Sequence, residues 1–435
     1  MIHIDLIGGD ALDLLAGLAP ESLDAVITDA PYGLEFMGNK WDAPWRRHLS
    51  DARCAHCART RRGRGRCTCA SPAFLASPAA EAVGFQRFSE AWGRAAWRAL
   101  KPGGALLAFG ATRRYHRLVS GLEDAGFEVL DQIDWIYGTG FPKSLDLSNV
   151  FEIPSEGDQW RGYGTALKPA HEPIVLARRP LAGTYRENLD RFGTGALGIE
   201  WTRVEAPAGD RERYGLDGDE AAPRTSNTYG AWSGAREAYR RPEAGRWPTN
   251  TILSHHPDCE PPIGTDASGC VEACPVRWLD EQPGGEGSRF FPTFRYEAKP
   301  TREERDLGLE SLPAVEGGAA TKRKEGSAGT RSPRAGAGRT GGARNTHPTV
   351  KPVALMRWLV RLVTKPGDVV CDPFVGSGTS AIACKLERVH CLGFENDPRS
   401  LEIARLRVAA ADEPILRLAE QPAEPVQGTL LEAEP

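Results

Sequence analysis

The sequence predicts an α/β protein built on a mainly parallel sheet. Three observations carry that expectation. Short apolar runs alternate with segments of helical periodicity at both ends of the chain. Several of these runs end in an acidic residue followed by a turn, the pattern of strands that carry ligand sites at their carboxyl ends. The chain has 435 residues, enough for two or three domains and a sizeable core.

Residues 2–7 read as a strand that ends at Gly8-Gly9-Asp10, and residues 11–18 as a helix. Asp10 is an acid at a strand end, and equally a helix N-cap. Residues 23–27 are mostly apolar and read as a buried strand. They lead into Thr28-Asp29-Ala30-Pro31-Tyr32-Gly33, which would form the floor of a site. Asp29 can accept a hydrogen bond from an amine, and the Ala30 carbonyl a second. Pro31 fixes φ and removes a competing donor. The Tyr32 ring can stack on a planar base. A plain strand followed by an Asp-x-Pro turn is the other reading.

Trp41 reads as a core or base-contacting aromatic. Cys54, Cys57, Cys67 and Cys69 then form a Cys-x2-Cys, Cys-x-Cys pair of pairs around a basic loop, residues 59–66. That spacing fits a tetrahedral zinc knuckle, with His56 able to replace one ligand; reduced surface thiols are the alternative. The basic loop can touch phosphate or stay solvated.

Residues 85–100 carry helical spacing, with Phe88, Trp92, Ala96 and Leu100 on one side. Residues 101–104 turn into a strand over 105–109, followed by a helix over 113–125 and a strand over 128–137. Phe141 to Ser144 read as a loop, and 174–177 as a further strand. From 181 to 345 periodicity fades. Within it His255 or His256, with Cys259, Cys270 and Cys274, makes a second zinc candidate, or a buried pair of cysteines with incidental histidines. Residues 290–296 look like a return strand. Residues 322–344 read as a mobile basic loop.

Order returns at His347. A helix is expected over 353–363 and a strand over 368–372. The tight turn Pro373-Phe374-Val375-Gly376-Ser377-Gly378-Thr379 then enters a helix over 380–386. Gly376 and Gly378 let backbone approach a ligand closely. A strand over 389–394 ends in Glu395, placed to hold ribose hydroxyls. A dinucleotide fold would need a longer glycine fingerprint, and Asp372 ahead of the turn suits a cationic ligand end better than a pyrophosphate. Residues 398–410 read as a helix, and 412–435 as a disordered acidic tail.

The net charge of −4 argues against a wholly basic nucleic-acid coat, though not against local basic patches. No signal peptide or membrane-spanning run is evident, and ten cysteines without a secretion signal suggest thiols and metal. A cytoplasmic protein without membrane contact is expected.

Asp372 to Thr379 closely resembles motif I of the S-adenosylmethionine-dependent DNA amino-methyltransferases. Asp29 to Tyr32 resembles their motif IV, usually Asp-Pro-Pro-Tyr, with Ala30 as a departure. Residues 347–352 sit where motif X does. Segments 135–144, 162–179 and 278–299 also look like bacterial and phage members. The resemblance implies a Rossmann-like methyltransferase sheet, circularly permuted in the order of the β group, with the catalytic motif first and the cofactor motif last. It implies a catalytic half (1–42 and 81–180), a zinc-knuckle insertion (43–80), an irregular target-recognition domain (181–345) and a cofactor-binding half (346–411).

It further implies that Asp29, Ala30, Pro31 and Tyr32 serve catalysis. Asp372, Pro373, Phe374, Gly376, Gly378, Thr379 and Glu395 would hold S-adenosylmethionine. Asp10 would take its adenine, and Thr349 and Lys351 would lie near its methionine carboxylate. The partner would be double-stranded DNA, whose target base must be flipped out; a homodimer and a restriction or phage-defence partner are compatible with it. In the family an Asp at the first motif position accompanies adenine more often, and Ser cytosine, so adenine-N6 is expected and cytosine-N4 is the runner-up. An RNA or protein amide methyltransferase, or an inactive DNA-binding protein, are the rival readings. No Pro-Cys at a strand end supports ring-carbon methylation.

Overall fold

A computed structural model describes residues 2–411 apart from 35–41, 49–52, 55, 58, 60–65, 71–73, 76, 138–143, 152–153, 205–245, 257–258, 260–268, 273, 283–287, 289–290, 295–301, 316–343 and 348. The expectations for Trp41, most of the 59–66 loop, Phe141 to Lys143, Phe290, residues 295–296, the basic loop 322–343 and the tail 412–435 lie outside the described residues.

The strands are β1 (Ile4–Gly8), β2 (Leu23–Thr28), β3 (Arg53–Cys54), β4 (Phe74–Leu75), β5 (Leu100–Phe109), β6 (Glu128–Ile136), β7 (His171–Arg178), β8 (Thr251–Ser254), β9 (Thr293–Phe294), β10 (Val369–Asp372) and β11 (His390–Glu395). Nine form one sheet in the order β1-β11-β10-β2-β5-β7-β6-β8-β9, while β3 and β4 pair separately. Every pairing in the large sheet is parallel except those of β7, which is antiparallel to both β5 and β6. Among the described residues the first strand therefore closes against the last, with Ile4 opposite Cys391 and Gly8 opposite Glu395.

Period-two alternation sends neighbouring side chains of β2 and β5 to opposite faces. Ala25, Ile27, Leu107 and Phe109 pack under helix Val353–Val363. Val26, Leu106 and Ala108 pack under helices Pro78–Ala99 and Tyr115–Asp124. The result is a helix–sheet–helix sandwich with β2 and β5 buried on both sides.

Several elements differ from expectation. Helix Pro78–Ala99 begins two turns before residue 85. Its first turns carry no apolar stripe, but Ser77 caps it, its hydroxyl accepting from the Ala80 amide at 3.1 Å, and Pro78 follows at N1. Strand β5 begins at Leu100, because residues 101–104 run on in the sheet past an irregularity opposite β2. The 181–345 region holds helix Tyr185–Phe192, closed by a reciprocal capping box between Thr184 and Glu187. The same region supplies β8, together with β9 inside the return strand expected over 290–296, and both extend the large sheet beyond β6.

Candidate active site

The carboxyl ends of β2, β10, β11 and β1 lie along one edge of the sheet, since all four run the same way. Thr28 and Asp372 end adjacent strands, and the Thr28 hydroxyl donates to Asp372 Oδ1 at 2.6 Å. The Phe374 amide donates to the same oxygen at 3.0 Å, and the Ser380 hydroxyl donates to Oδ2. Burial pushes the Asp372 carboxyl up to about 6, against the pull of these donors. Asp372 is thus a buried brace of the glycine turn, with both of its oxygens accepting from protein donors.

Gly376 and Gly378 have φ of 54° and 86°, a region that favours glycine. A Cβ on Gly376 would come 3.0 Å from the His347 ring, and one on Gly378 within 3.0 Å of Ala404. Burial, then the charges of Arg305 and Lys351, hold His347 down to about 4, so a neutral imidazole packs on the turn. Pro373 is buried, and the Phe374 ring meets Trp92 edge-on at 5.9 Å. Arg407, fully buried, donates to the Ser377 carbonyl at 2.6 Å and to the Thr379 hydroxyl at 3.3 Å.

Beside the turn, Glu395 accepts from the Asp397 amide at 2.8 Å and from the Gly376 amide. Burial pushes its carboxyl up to about 7. Asp10 lies at the end of β1: the Leu12 amide donates to Oδ1 at 3.0 Å and Arg47 to Oδ2 at 2.6 Å. Its helix-capping role is therefore present, and Arg47 covers its second oxygen.

Asp29 follows β2 directly. Its Oδ2 accepts from the Lys351 ammonium at 2.6 Å, while Oδ1 is buried and has no hydrogen-bond partner among the described residues. Ala30 is buried and Pro31 half-buried. The Tyr32 hydroxyl donates to Glu172 Oε2 at 2.8 Å and accepts from Lys351 at 3.2 Å. Burial, then the charges of Asp29 and Glu172, raise that phenol well above its ordinary value. Glu172 reaches this edge because β7 is antiparallel, which brings its first residues, not its last, beside the ends of the other strands.

Lys351, which the resemblance places near the methionine carboxylate, lies with its ammonium against Asp29 and Tyr32. Helix Arg302–Asp306 steers the segment leading to it. Arg305 donates to the Asn345 and His347 carbonyls, and Asp306 accepts from the Arg344 and Asn345 amides. Thr349 lies half-buried between His347 and Lys351.

The DNA methylase family model for N6 and N4 enzymes matches residues 23–406, most of the chain. The chain belongs to the N6/N4 DNA methylase family. Among curated relatives, the type II methyltransferase M2.DpnII of Streptococcus pneumoniae is 40% identical over 67 residues, 15% of this chain and 25% of that protein. The type II methyltransferase M.Cfr9I of Citrobacter freundii is 40% identical over 68 residues, 16% of this chain and 23% of that one. The matches thus span about a quarter of the length of these relatives. A putative DNA modification methylase from Thermus thermophilus, solved with S-adenosyl-L-methionine, is 15% identical with a TM-score of 0.39, covering 94% of each chain. The cytosine-N4-specific PvuII DNA methyltransferase is 12% identical with a TM-score of 0.44, covering 93% of this chain and 86% of that one.

This DNA methylase family member also gathers two sets of metal-ligating side chains. Ligand atoms of Cys54, Cys57, Cys67 and Cys69 lie within 4.8 Å of one another, as do those of His255, Cys259, Cys270 and Cys274. Zinc–sulfur bonds of about 2.3 Å place tetrahedral ligands about 3.8 Å apart; Cys54 and Cys69 sulfurs are 4.0 Å apart. In the second set His255 Nδ1 lies 3.1 Å from Cys270 Sγ and 3.6 Å from Cys274 Sγ. His255, and not His256, therefore faces the sulfurs. Burial raises Cys274, but His255 and nearby amides outweigh it and bring the thiol down to about 6, whereas burial and the neighbouring thiols raise Cys259 and Cys270.

Residue-by-residue reading of the sequence missed Glu172 and Arg407. Glu172 stands next to Pro173 at the start of a strand with no motif around it. Arg407 lies in a helix whose pattern resembles any amphipathic segment. No helix among the described residues is long and apolar enough to cross a membrane.

Proposed function

We propose that this protein methylates the exocyclic amine of a flipped base in double-stranded DNA, at adenine N6. The observation that carries the reading is Asp29: one carboxylate oxygen is pinned by Lys351, and the other is buried without a partner. A buried acceptor without a donor is costly, and a substrate amine supplies the donor. The Ala30 carbonyl takes the second amine proton, and Tyr32 holds the ring. The work is alignment and electrostatics.

S-adenosylmethionine would lie beside the glycine turn, where Gly376 and Gly378 carry no side chain, and supplies the electrophilic methyl group when bound. The glycine turn would take its main chain, Glu395 its ribose hydroxyls and Asp10 its adenine. The strand order, with the Asp372 strand late in the chain and the Asp29 strand early, supports the permuted arrangement. In this reading 1–42 and 81–180 form the catalytic half and 346–411 the cofactor half. Residues 181–345 recognise the target, and the 43–80 insertion and the His255 cluster each hold a structural zinc.

The test is digestion of treated duplex DNA to nucleosides followed by mass spectrometry. Methyladenosine is expected. Methylcytidine without methyladenosine would move the assignment to cytosine N4, which the same acceptors also fit. Methylation of RNA or protein alone would overturn the DNA reading.

A further inference from the structure

Lys351 and Glu172 are explained neither by amine binding nor by cofactor binding. Lys351 is 6% exposed, and its ammonium sits where three segments distant in sequence meet. It lies 2.6 Å from Asp29 Oδ2, 3.2 Å from the Tyr32 hydroxyl and 3.3 Å from Glu172 Oε2. An ammonium has three protons, and these three acceptors use all of them. The same ammonium lies 4.9 Å from the Phe109 ring centre, which walls the cluster on the sheet side.

Two consequences follow from this geometry. Asp29 cannot swing its carboxylate without breaking a charge-assisted hydrogen bond in a buried setting, so Oδ1 keeps one direction. The cluster also holds two carboxylates against one ammonium, a net charge of minus one. That charge faces an amine which becomes cationic as it is methylated.

We propose that Lys351 and Glu172 are positioning residues for methyl transfer: they lock Asp29 through Oδ2, leave Oδ1 alone for the amine, and hold the pocket at one net negative charge. This rests on the DNA-amine reading above. As the N–C bond forms and the C–S bond breaks, the electron pair stays on sulfur, and Asp29 Oδ1 accepts the proton that the nitrogen sheds. Lys351 stays protonated throughout, because the charges of Asp29 and Glu172 outweigh its burial and raise it above its ordinary value.

The experiment compares wild type, Asp29→Ala, Lys351→Met and Glu172→Gln on unmethylated duplex DNA with tritium-labelled S-adenosylmethionine in single turnover. S-adenosylhomocysteine affinity by calorimetry and DNA affinity by fluorescence anisotropy are measured on the same proteins. Lys351→Met and Glu172→Gln are each expected to slow transfer about a hundredfold, the scale of a misplaced reacting group. Both affinities should stay within about threefold of wild type, the split that marks loss of transition-state rather than ground-state interaction. Glu172→Gln still offers Tyr32 an acceptor, so its loss reports the charge; its partly exposed side chain keeps the test available should Lys351→Met fail to fold. The double variant should lose less than the product of the singles, since the two act as a unit. Unchanged rates in both variants, with Asp29→Ala inactive, would overturn the inference and leave the DNA-amine reading standing. A loss of S-adenosylhomocysteine affinity matching the loss of rate in Lys351→Met would also overturn it, by assigning Lys351 to the cofactor. Wild type that transfers nothing to DNA, or Asp29→Ala as active as wild type, would remove the underlying reading instead.

Discussion

Thr28 and Asp372, 344 residues apart in sequence, share a buried hydrogen bond of 2.6 Å where β2 and β10 end side by side. It joins the strand that leads to Asp29 with the strand that leads to the glycine turn. Thr28→Val keeps the shape and removes the donor. Hydrogen bonds to charged groups contribute roughly 1.5–3 kcal/mol, so a loss of that order is expected in chemical denaturation. The loss should be larger at pH 8 than at pH 5. Asp372 titrates at about 6 in the folded protein, above its unfolded value, so it is mostly neutral at pH 5 and charged at pH 8. A raised carboxyl lowers stability as pH climbs between the two values, and removing a donor to the charged form deepens that fall. A deficit independent of pH would mean that Asp372 is already charged at pH 5.

Asp29→Ala should abolish methyl transfer and leave S-adenosylhomocysteine binding within about tenfold of wild type, about 1.4 kcal/mol. Its Oδ2 accepts from Lys351 and its buried Oδ1 has no hydrogen-bond partner among the described residues, and neither oxygen bonds the glycine turn. Calorimetry showing a greater loss of affinity would move Asp29 into the cofactor site.

Glu395 should make cofactor affinity depend on pH. Its carboxyl is raised to about 7, and hydroxyl donors bind the ionised form better. S-adenosylhomocysteine should therefore bind more tightly at pH 8 than at pH 6, by about tenfold for a group that ionises midway. Glu395→Gln should bind more weakly and lose this dependence. A wild-type affinity that is flat over this range would remove Glu395 from the ribose.

Elemental analysis of protein purified without chelators should find about two zinc ions per chain, and each should contribute to folding. Cys69→Ser and Cys274→Ser should each lose one. His255→Ala should lose the second zinc, whereas His256→Ala should keep it, because only His255 faces the sulfurs of Cys270 and Cys274. Zinc-free wild type would remove both assignments.

Much of the fold was legible because its signals are local. The apolar runs of β2, β10 and β11 and the stripes of helices Val353–Val363 and Pro398–Ala410 lie close to their expected bounds. Helix Tyr185–Phe192 was also written locally, in the Thr184-x-x-Glu187 box, but its stripe is too short to show in a periodicity reading. Strand β9 falls within the return strand expected over 290–296, whereas the short strand β8 had no such signal; the place of both comes from pairing with β6 and with each other.

By itself the sequence singled out the candidate side chains: an acid and an aromatic after one strand, paired glycines after another, and two sets of thiols. Local spacing suffices for this, since a turn or a knuckle is built from residues a few positions apart. Tertiary structure alone decided what each group faces. It turned Asp372 inward as a brace and chose His255 over His256. It set the Lys351 ammonium against Asp29, and it used the reversed direction of β7 to bring Glu172 to Tyr32. These contacts join segments many residues apart, and strand order and direction, which no local pattern encodes, fix which of them meet.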